Sequence, residues 1–220
     1  MALSSKAARA VIAVLAIGPL AAAAQVPAAP ATPAAPAASV AGNPAPQVVP
    51  SLREWSGGSG SYELTRGSRI VIDASNLRDE AELLRDDLSE VTGIAPRLVT
   101  GSTPEEGDLF LSDRGAPAEL GREGYLLEIG DRVELRGGSD AGVFYGTQTV
   151  LQTLRSTPGH RTLPRGEARD WPRFGERGYM LDAGRKYWSP DYVVQTIREM
   201  AYLKLNTLQL HLSDNNAFRL

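Results

Sequence analysis

Hydrophobic residues recur along this chain with two periods, and the periods divide it into elements. Leu77, Ala81, Leu84, Leu88 and Val91 are spaced by four, three, four and three, which predicts a helix with one apolar face. Ser75 or Asn76 is placed to cap its start and Gly93 to stop it. Short apolar runs at 69–73 (Arg-Ile-Val-Ile-Asp) and 108–112 (Asp-Leu-Phe-Leu-Ser) predict strands on either side of it. Residues 124–129 and 132–136 then read as a hairpin around Gly130-Asp131. Val133 and Leu135 alternate with charged residues there, so one face of that strand is wet. Ser139-Asp140 opens a second helix carrying Val143, Phe144, Thr147, Val150, Leu151 and Leu154. Gly142 and Gly146 lie four apart on it, each costing about 1 kcal/mol against alanine. Two such losses point to a close approach of helix to sheet.

Further on the pattern changes. Residues 156–171 are polar, contain Pro158 and Pro164, and read as an inter-domain connection ending at Trp171-Pro172. A strand at 179–182 follows. Ser189-Pro190-Asp191 is a helix start: a cap, proline in the first turn and an acid beside it. Val194, Ile197, Ala201 and Leu205 share one face of that helix. Thr207–Leu212 alternates apolar and polar as a second strand. The expected organisation is an α+β domain over 51–171, a sheet with two helices. After it, residues 172–220 are the first βαβ of a (β/α)8 TIM barrel, truncated after its second strand.

The two ends of the chain differ in how much they contain. Lys6 and Arg9, the apolar run Ala10–Leu20 and Ala22-Ala23-Ala24 before Gln25 have the layout of a signal peptide over 1–24. The run is short and holds Pro19, so it does not read as a membrane span. An exported protein, periplasmic or extracellular, is expected. Residues 25–50 hold seven prolines among alanine and valine and read as an Ala/Pro-rich linker. The 220 residues are 42% hydrophobic and 22% charged with net charge -3, so no basic footprint for nucleic acid or a membrane surface exists. With no cysteine there is no disulfide, thiolate zinc site or catalytic thiol. The two histidines, His160 and His211, form no ligand cluster, and neither a metal nor a cofactor is expected.

Ligands of parallel βαβ units sit beyond the carboxyl ends of the strands. Asp182, Arg185, Lys186, Tyr187 and Trp188 follow the first strand. Asp214, Asn215, Asn216, Phe218 and Arg219 follow the second. Arginine and carboxylates pair with hydroxyls while aromatic rings cover a pyranose face, so this set suits a sugar.

Residues 177–185 (Arg-Gly-Tyr-Met-Leu-Asp-Ala-Gly-Arg) and 211–219 (His-Leu-Ser-Asp-Asn-Asn-Ala-Phe-Arg) resemble the first two barrel strands of glycoside hydrolase family 20, the β-N-acetylhexosaminidases. Residues 138–152 resemble the closing helix of the α+β domain that precedes that barrel. The resemblance covers roughly 52–220. It implies that Arg185 binds ring hydroxyls of a terminal N-acetylhexosamine on an oligosaccharide; the bland alternative is a structural ion pair with Asp182. It implies that Asp214 supports the general acid through a histidine further along the chain; the alternative is a helix cap or an Asx-turn. Asp182 would brace the site, and His211 reads as a hydrogen-bonded core histidine. Many members have Asp-Asp-Gln-Gly-Trp-Arg where this chain has Asp214-Asn-Asn-Ala-Phe-Arg219, losing one charge and one indole. The family's reaction is substrate-assisted: the substrate's acetamido oxygen attacks its own anomeric carbon. The Asp-Glu pair that serves it follows the fourth barrel strand. The 220 residues reach only the second, so the chain is expected to be a fragment, inactive alone, with 172–220 loosely docked on the leading domain. Two other readings stand beside this one: another barrel glycosidase with a similar leading domain, and a non-catalytic carbohydrate- or cell-wall-binding module.

Overall fold

The computed structural model describes residues 42–214 and 217–218. The proposed signal peptide, most of the linker, and Asn215, Asn216 and Arg219 lie outside the described residues.

The leading domain runs β1 (Glu54–Glu63), β2 (Arg69–Ile72), α1 (Arg78–Thr92), β3 (Arg97–Thr100), β4 (Leu109–Ser112), β5 (Tyr125–Ile129), β6 (Val133–Gly137), α2 (Asp140–Ser156) and β7 (Thr162–Asp170). Its strands form one seven-stranded sheet in the order β1-β7-β5-β6-β4-β2-β3. The β3, β2, β4 and β6 neighbours are parallel, and the β6, β5, β7 and β1 neighbours antiparallel. This is an α+β layer. The helices α1 and α2 pack against each other and onto the sheet. Beneath them Ile70, Ile72, Leu109, Leu127 and Leu135 are fully buried. The opposite positions of β5 and β6 are charged and partly open. There Arg136 pairs with both Glu128 and Glu134, and Arg132 pairs with Glu134 at 2.5 Å.

The periodic elements lie where the pattern puts them. Gly93 ends α1 in the left-handed conformation at φ 72°. The caps differ. A 3-10 turn over Ser75–Leu77 precedes α1, and neither Ser75 nor Asn76 caps it; the Asn76 amide donates to Asp113 instead at 2.7 Å. Glycine gives α2 the close approach expected. A Cβ on Gly142 would lie 2.4 Å from the Gly124 carbonyl oxygen, and one on Gly146 2.2 Å from Leu135 Cδ1.

The segment expected as the inter-domain connection departs from the pattern. Residues 162–170 are β7, which lies between β1 and β5 inside the sheet. Pro164 is tolerated because β5 pairs only with Gly166–Asp170, leaving 162–164 with a strand neighbour on the β1 side only. The linker also ends earlier than Pro50. Asn43 donates its backbone N–H to the Gly58 carbonyl at 2.7 Å and its amide to Gly60 and Arg165. The Gln152 side chain both accepts from and donates to the Val49 backbone, at 2.7 and 2.9 Å. Residues 43–49 are thus tied to the domain by hydrogen bonds at Asn43 and Val49, with Val48 buried between them.

Beyond Trp171 the chain forms β8 (Gly178–Asp182), α3 (Pro190–Tyr202) and β9 (Thr207–His211), with β8 and β9 parallel and Asp182 opposite His211. The Ser189 hydroxyl caps α3 by accepting from the Tyr192 N–H at 3.2 Å. Val194 and Ile197, expected to share one apolar face with Ala201 and Leu205, are each 48% exposed. A short antiparallel pair, β10 (Ser213–Asp214) and β11 (Ala217–Phe218), follows.

The βαβ unit is not loosely docked. Lys204, just past α3, is 6% exposed and bonded to Tyr125, Thr149 and Asp170 of the leading domain. Arg177 pairs with Glu123 at 2.8 Å and lies over the Tyr145 ring. The Gln152 amide adds a bond to the Tyr202 carbonyl. A buried charge can be docked only where its partners are fixed, so the seam is specific.

Candidate functional site

The carboxyl ends of β8 and β9 carry the site. The backbone N–H groups of Ala183 and Gly184 both donate to the His211 carbonyl, at 2.9 and 2.8 Å, so the loop after β8 crosses the end of β9. Gly184 lies against the backbone of Ser213, where a Cβ would be 3.1 Å from its carbonyl carbon. Trp188 closes the loop. Its indole N–H donates to the Asp182 carbonyl at 2.7 Å, and its ring stacks on Tyr192 at 4.5 Å with 18° between planes. Lys186 lies over the other side of this pair, its Nζ 4.3 Å from the Trp188 ring centre.

This crossing brings together residues 29 apart in sequence. Arg185 Nε lies 2.5 Å from Asp214 Oδ2 and 3.2 Å from Asp182 Oδ2. The Arg185 backbone N–H also donates to Asp182 Oδ1 at 3.1 Å, fixing the turn. The hydrogen bond and charge of Asp214, then the charge of Asp182, hold the guanidinium above its ordinary pKa and so fully protonated. The Arg185 side chain is still 72% exposed. Its fork is therefore oriented by two carboxylates at Nε and open to a ligand, an arrangement suited to paired hydroxyl oxygens.

Of the residues singled out by sequence, Arg185, Asp214 and Asp182 meet. The ion pair between Arg185 and Asp182 exists, and Asp214 joins it. Asp214 sits in β10 rather than at a helix start. His211 is partly buried, and its Nε2 has no hydrogen-bond partner among the described residues, so it is not the satisfied core histidine expected. Trp188, read from sequence as one of the rings beyond the first strand suited to a sugar face, here stacks on Tyr192 and braces the loop through the Asp182 carbonyl. No group of three or more His, Cys, Asp or Glu side chains among the described residues could hold a metal ion. A shallow concavity between residues 43–47 and the end of α2 contains none of these side chains.

The α+β domain is joined to a βαβ unit that carries an arginine–carboxylate cluster at its strand ends. Residues 45–171 match the model of glycosyl hydrolase family 20, domain 2, and residues 174–220 that of the family's catalytic domain. The chain belongs to glycosyl hydrolase family 20. It is 36% identical over 168 residues to the lacto-N-biosidase of Bifidobacterium bifidum, covering 76% of this chain and 15% of that one. To the β-hexosaminidase of Porphyromonas gingivalis it is 31% identical over 182 residues, covering 79% and 23%. The structure resembles the family 20 β-N-acetylhexosaminidase of Streptomyces coelicolor A3(2), with TM-score 0.70, 31% identity and coverage of 81% and 37%. It also resembles a mutant Streptomyces plicatus β-hexosaminidase in complex with its product GlcNAc, with TM-score 0.71, 32% identity and coverage of 83% and 37%. The chain thus spans between 15% and 25% of the first four curated relatives.

Proposed function

We propose that this chain is the leading part of an exported β-N-acetylhexosaminidase, and that β8, α3 and β9 open its (β/α)8 barrel. The observation that carries this is Arg185, held at Nε by Asp214 and Asp182 at the carboxyl ends of two parallel strands. Arg185 binds ring hydroxyls of the terminal N-acetylhexosamine. Asp214 orients Arg185 and supports the general acid, and Asp182 braces both. The acetamido group of the substrate acts as nucleophile, an oriented Asp stabilises it, and the neighbouring Glu protonates the leaving oxygen. That Asp-Glu pair belongs after a fourth barrel strand. The Asp79-Glu80 of this chain is in α1 of the leading domain and does not serve. Hydrolysis therefore needs more barrel than β8 and β9 supply. Export rests on the charged start, the apolar run and the Ala22–Ala24 site. A wall-binding module would present aromatic rings on the open sheet face; its charges instead pair with one another.

The test is hydrolysis of 4-nitrophenyl N-acetyl-β-glucosaminide. The 220-residue chain is expected to be inactive. A chimera continuing it into the rest of a family 20 barrel is expected to be active, and Arg185→Ala to lower its kcat/KM roughly 10- to 100-fold, the equivalent of 1.5–3 kcal/mol for hydrogen bonds to a charged group. Turnover by the 220-residue chain, or an Arg185→Ala chimera with unchanged kcat/KM, would refute the assignment.

A further inference from the structure

Lys204 leaves α3 with φ 60°, in the left-handed region. The chain reverses there: the Lys204 N–H donates to the Ala201 carbonyl at 2.9 Å and the Leu205 N–H to that of Met200 at 2.8 Å. Glycine is usual at such a helix end, and a Cβ there costs roughly 1–2 kcal/mol. A lysine at this position keeps its side chain for something else. Its Nζ is 2.7 Å from Thr149 Oγ1, 2.8 Å from Tyr125 Oη and 2.9 Å from Asp170 Oδ2. An ammonium has three N–H donors, and three acceptors meet them. The socket is closed on itself, because the Tyr125 hydroxyl donates to the same Asp170 oxygen at 2.7 Å while Asp170 Oδ1 accepts the Arg53 N–H at 3.3 Å. The three acceptors come from β5, α2 and the end of β7, so the leading domain builds the socket and the βαβ unit supplies the plug.

We propose that Lys204 is a positioning residue for the sugar-binding site, acting through β9; the word sugar rests on the function proposed above. Two residues separate Lys204 from β9, whose five residues span about 17 Å. At the far end the His211 carbonyl takes the Ala183 and Gly184 amides, and Asp214 follows. The start of β8 is tied to the same plug. The Arg177 Nε donates to the Lys204 carbonyl at 2.8 Å, and the Asn206 N–H to the Arg177 carbonyl at 2.9 Å. Both strands are therefore held at their amino ends by the leading domain, and their carboxyl ends carry Asp182, Arg185 and Asp214. A strand is stiff over this length, so fixing its entry sets where Asp214 meets Arg185.

The readout is amide hydrogen exchange in the 220-residue chain. Lys204→Met is expected to speed exchange at Ala183 and Gly184 at least tenfold, with Leu127 and Leu135 in β5 and β6 unchanged. Lys204→Met leaves a buried carboxylate unpaired, so the double variant Lys204→Met/Asp170→Asn guards against misfolding. It should likewise keep wild-type protection in the leading domain while Ala183 and Gly184 stay fast. Wild-type exchange at Ala183 and Gly184 in the double variant overturns the proposal, and so does an equal loss throughout β5, β6 and the site loop. In the chimera the double variant should lower kcat/KM about tenfold, mainly through KM, and an unchanged kcat/KM also overturns it. Arg185→Ala is the separate arm: if that variant alone keeps full activity, the sugar assignment fails while the exchange result stands.

Discussion

Gly142 and Gly146 give the sharpest prediction about the leading domain, because two effects of opposite sign act on each. Alanine in a helix interior is favoured over glycine by about 1 kcal/mol. Against this, the added Cβ at 142 would meet backbone: the Gly124 oxygen at 2.4 Å, the Arg122 oxygen at 3.0 Å and Gly137 Cα at 3.2 Å. No side-chain motion relieves that, so α2 must lift from the loops beneath it. Overpacking costs about 1–3 kcal/mol, and a backbone obstacle belongs at the upper end. Gly142→Ala is therefore expected to lose about 2 kcal/mol net, lowering Tm by roughly 4–8 °C for a chain of this size. At 146 the obstacle is the end of the Leu135 side chain, with Cδ1 at 2.2 Å and Cδ2 at 2.8 Å. Gly146→Ala should thus be rescued in part by Leu135→Val, and Gly142→Ala should not. Urea unfolding followed by circular dichroism measures the three single variants and the two double variants with Leu135→Val. Stability at or above wild type for Gly142→Ala would refute the close-approach argument. A Gly146→Ala/Leu135→Val pair that merely adds its two separate losses would refute the assigned obstacle.

Two pH limbs follow from buried groups in the same domain. Burial, the largest single influence, works to raise the Asp108 pKa, but the Arg69 hydrogen bonds, the Glu105 N–H and the Arg69 charge together hold the carboxylate below its ordinary value. A depressed folded pKa stabilises above the unfolded value near 3.9 and is lost as pH falls through the folded one; Asp108→Asn should therefore flatten the acid limb of a pH–stability profile while lowering stability at pH 7, and a limb of unchanged slope would contradict this. Burial pushes the Tyr62 hydroxyl up to about 12, with Ser68 opposing and the Asp108 charge assisting. That stability is complete below about pH 10 and is lost between there and pH 12, on the order of 3 kcal/mol. Tyr62→Phe should remove this limb at the cost of the hydrogen bond to the Gly107 carbonyl, and alkaline unfolding with tyrosinate absorbance checks it.

The elements legible in the sequence carry either a period or an apolar run. In β5, β6 and α1 one face meets the core and the period shows; β2 and β4, buried on both faces or nearly so, show as short apolar runs. The strands β1 and β7 carry none. The segment Ser56-Gly57-Gly58 is glycine-rich because backbone lies on backbone there: a Cβ on Gly57 would stand 2.0 Å from the Asn43 oxygen. Gly166, at φ 158°, has the Trp55 ring where its Cβ would be, 2.5 Å away. Glycines placed for contact look the same in sequence as glycines placed for turns, so β7 reads as a connection. Asn43 escapes notice for a related reason. Its role is to bond the irregular part of β1, which becomes visible only once β1 is.

The site and the seam differ in legibility although they share the same two strands. The site was legible because a topological rule places it: parallel strands joined by a helix put their carboxyl ends side by side. That rule brings Arg185 and Asp214 together across 29 residues without any side-chain knowledge. No comparable rule exists for the amino ends. Lys204 finds Tyr125, Thr149 and Asp170 at separations of 79, 55 and 34 residues, each from a different element. In sequence it is one lysine near a helix end, where a cation is already favoured by the helix dipole. Its only local oddity is the left-handed backbone, which sequence does not display. The consequence is an asymmetry in what substitution can do. A change at Arg185 removes a ligand contact from an exposed group and leaves the fold standing. A change at Lys204 leaves Asp170 charged, buried and bonded only to neutral donors, so its cost falls on the junction of the two units before it reaches the site.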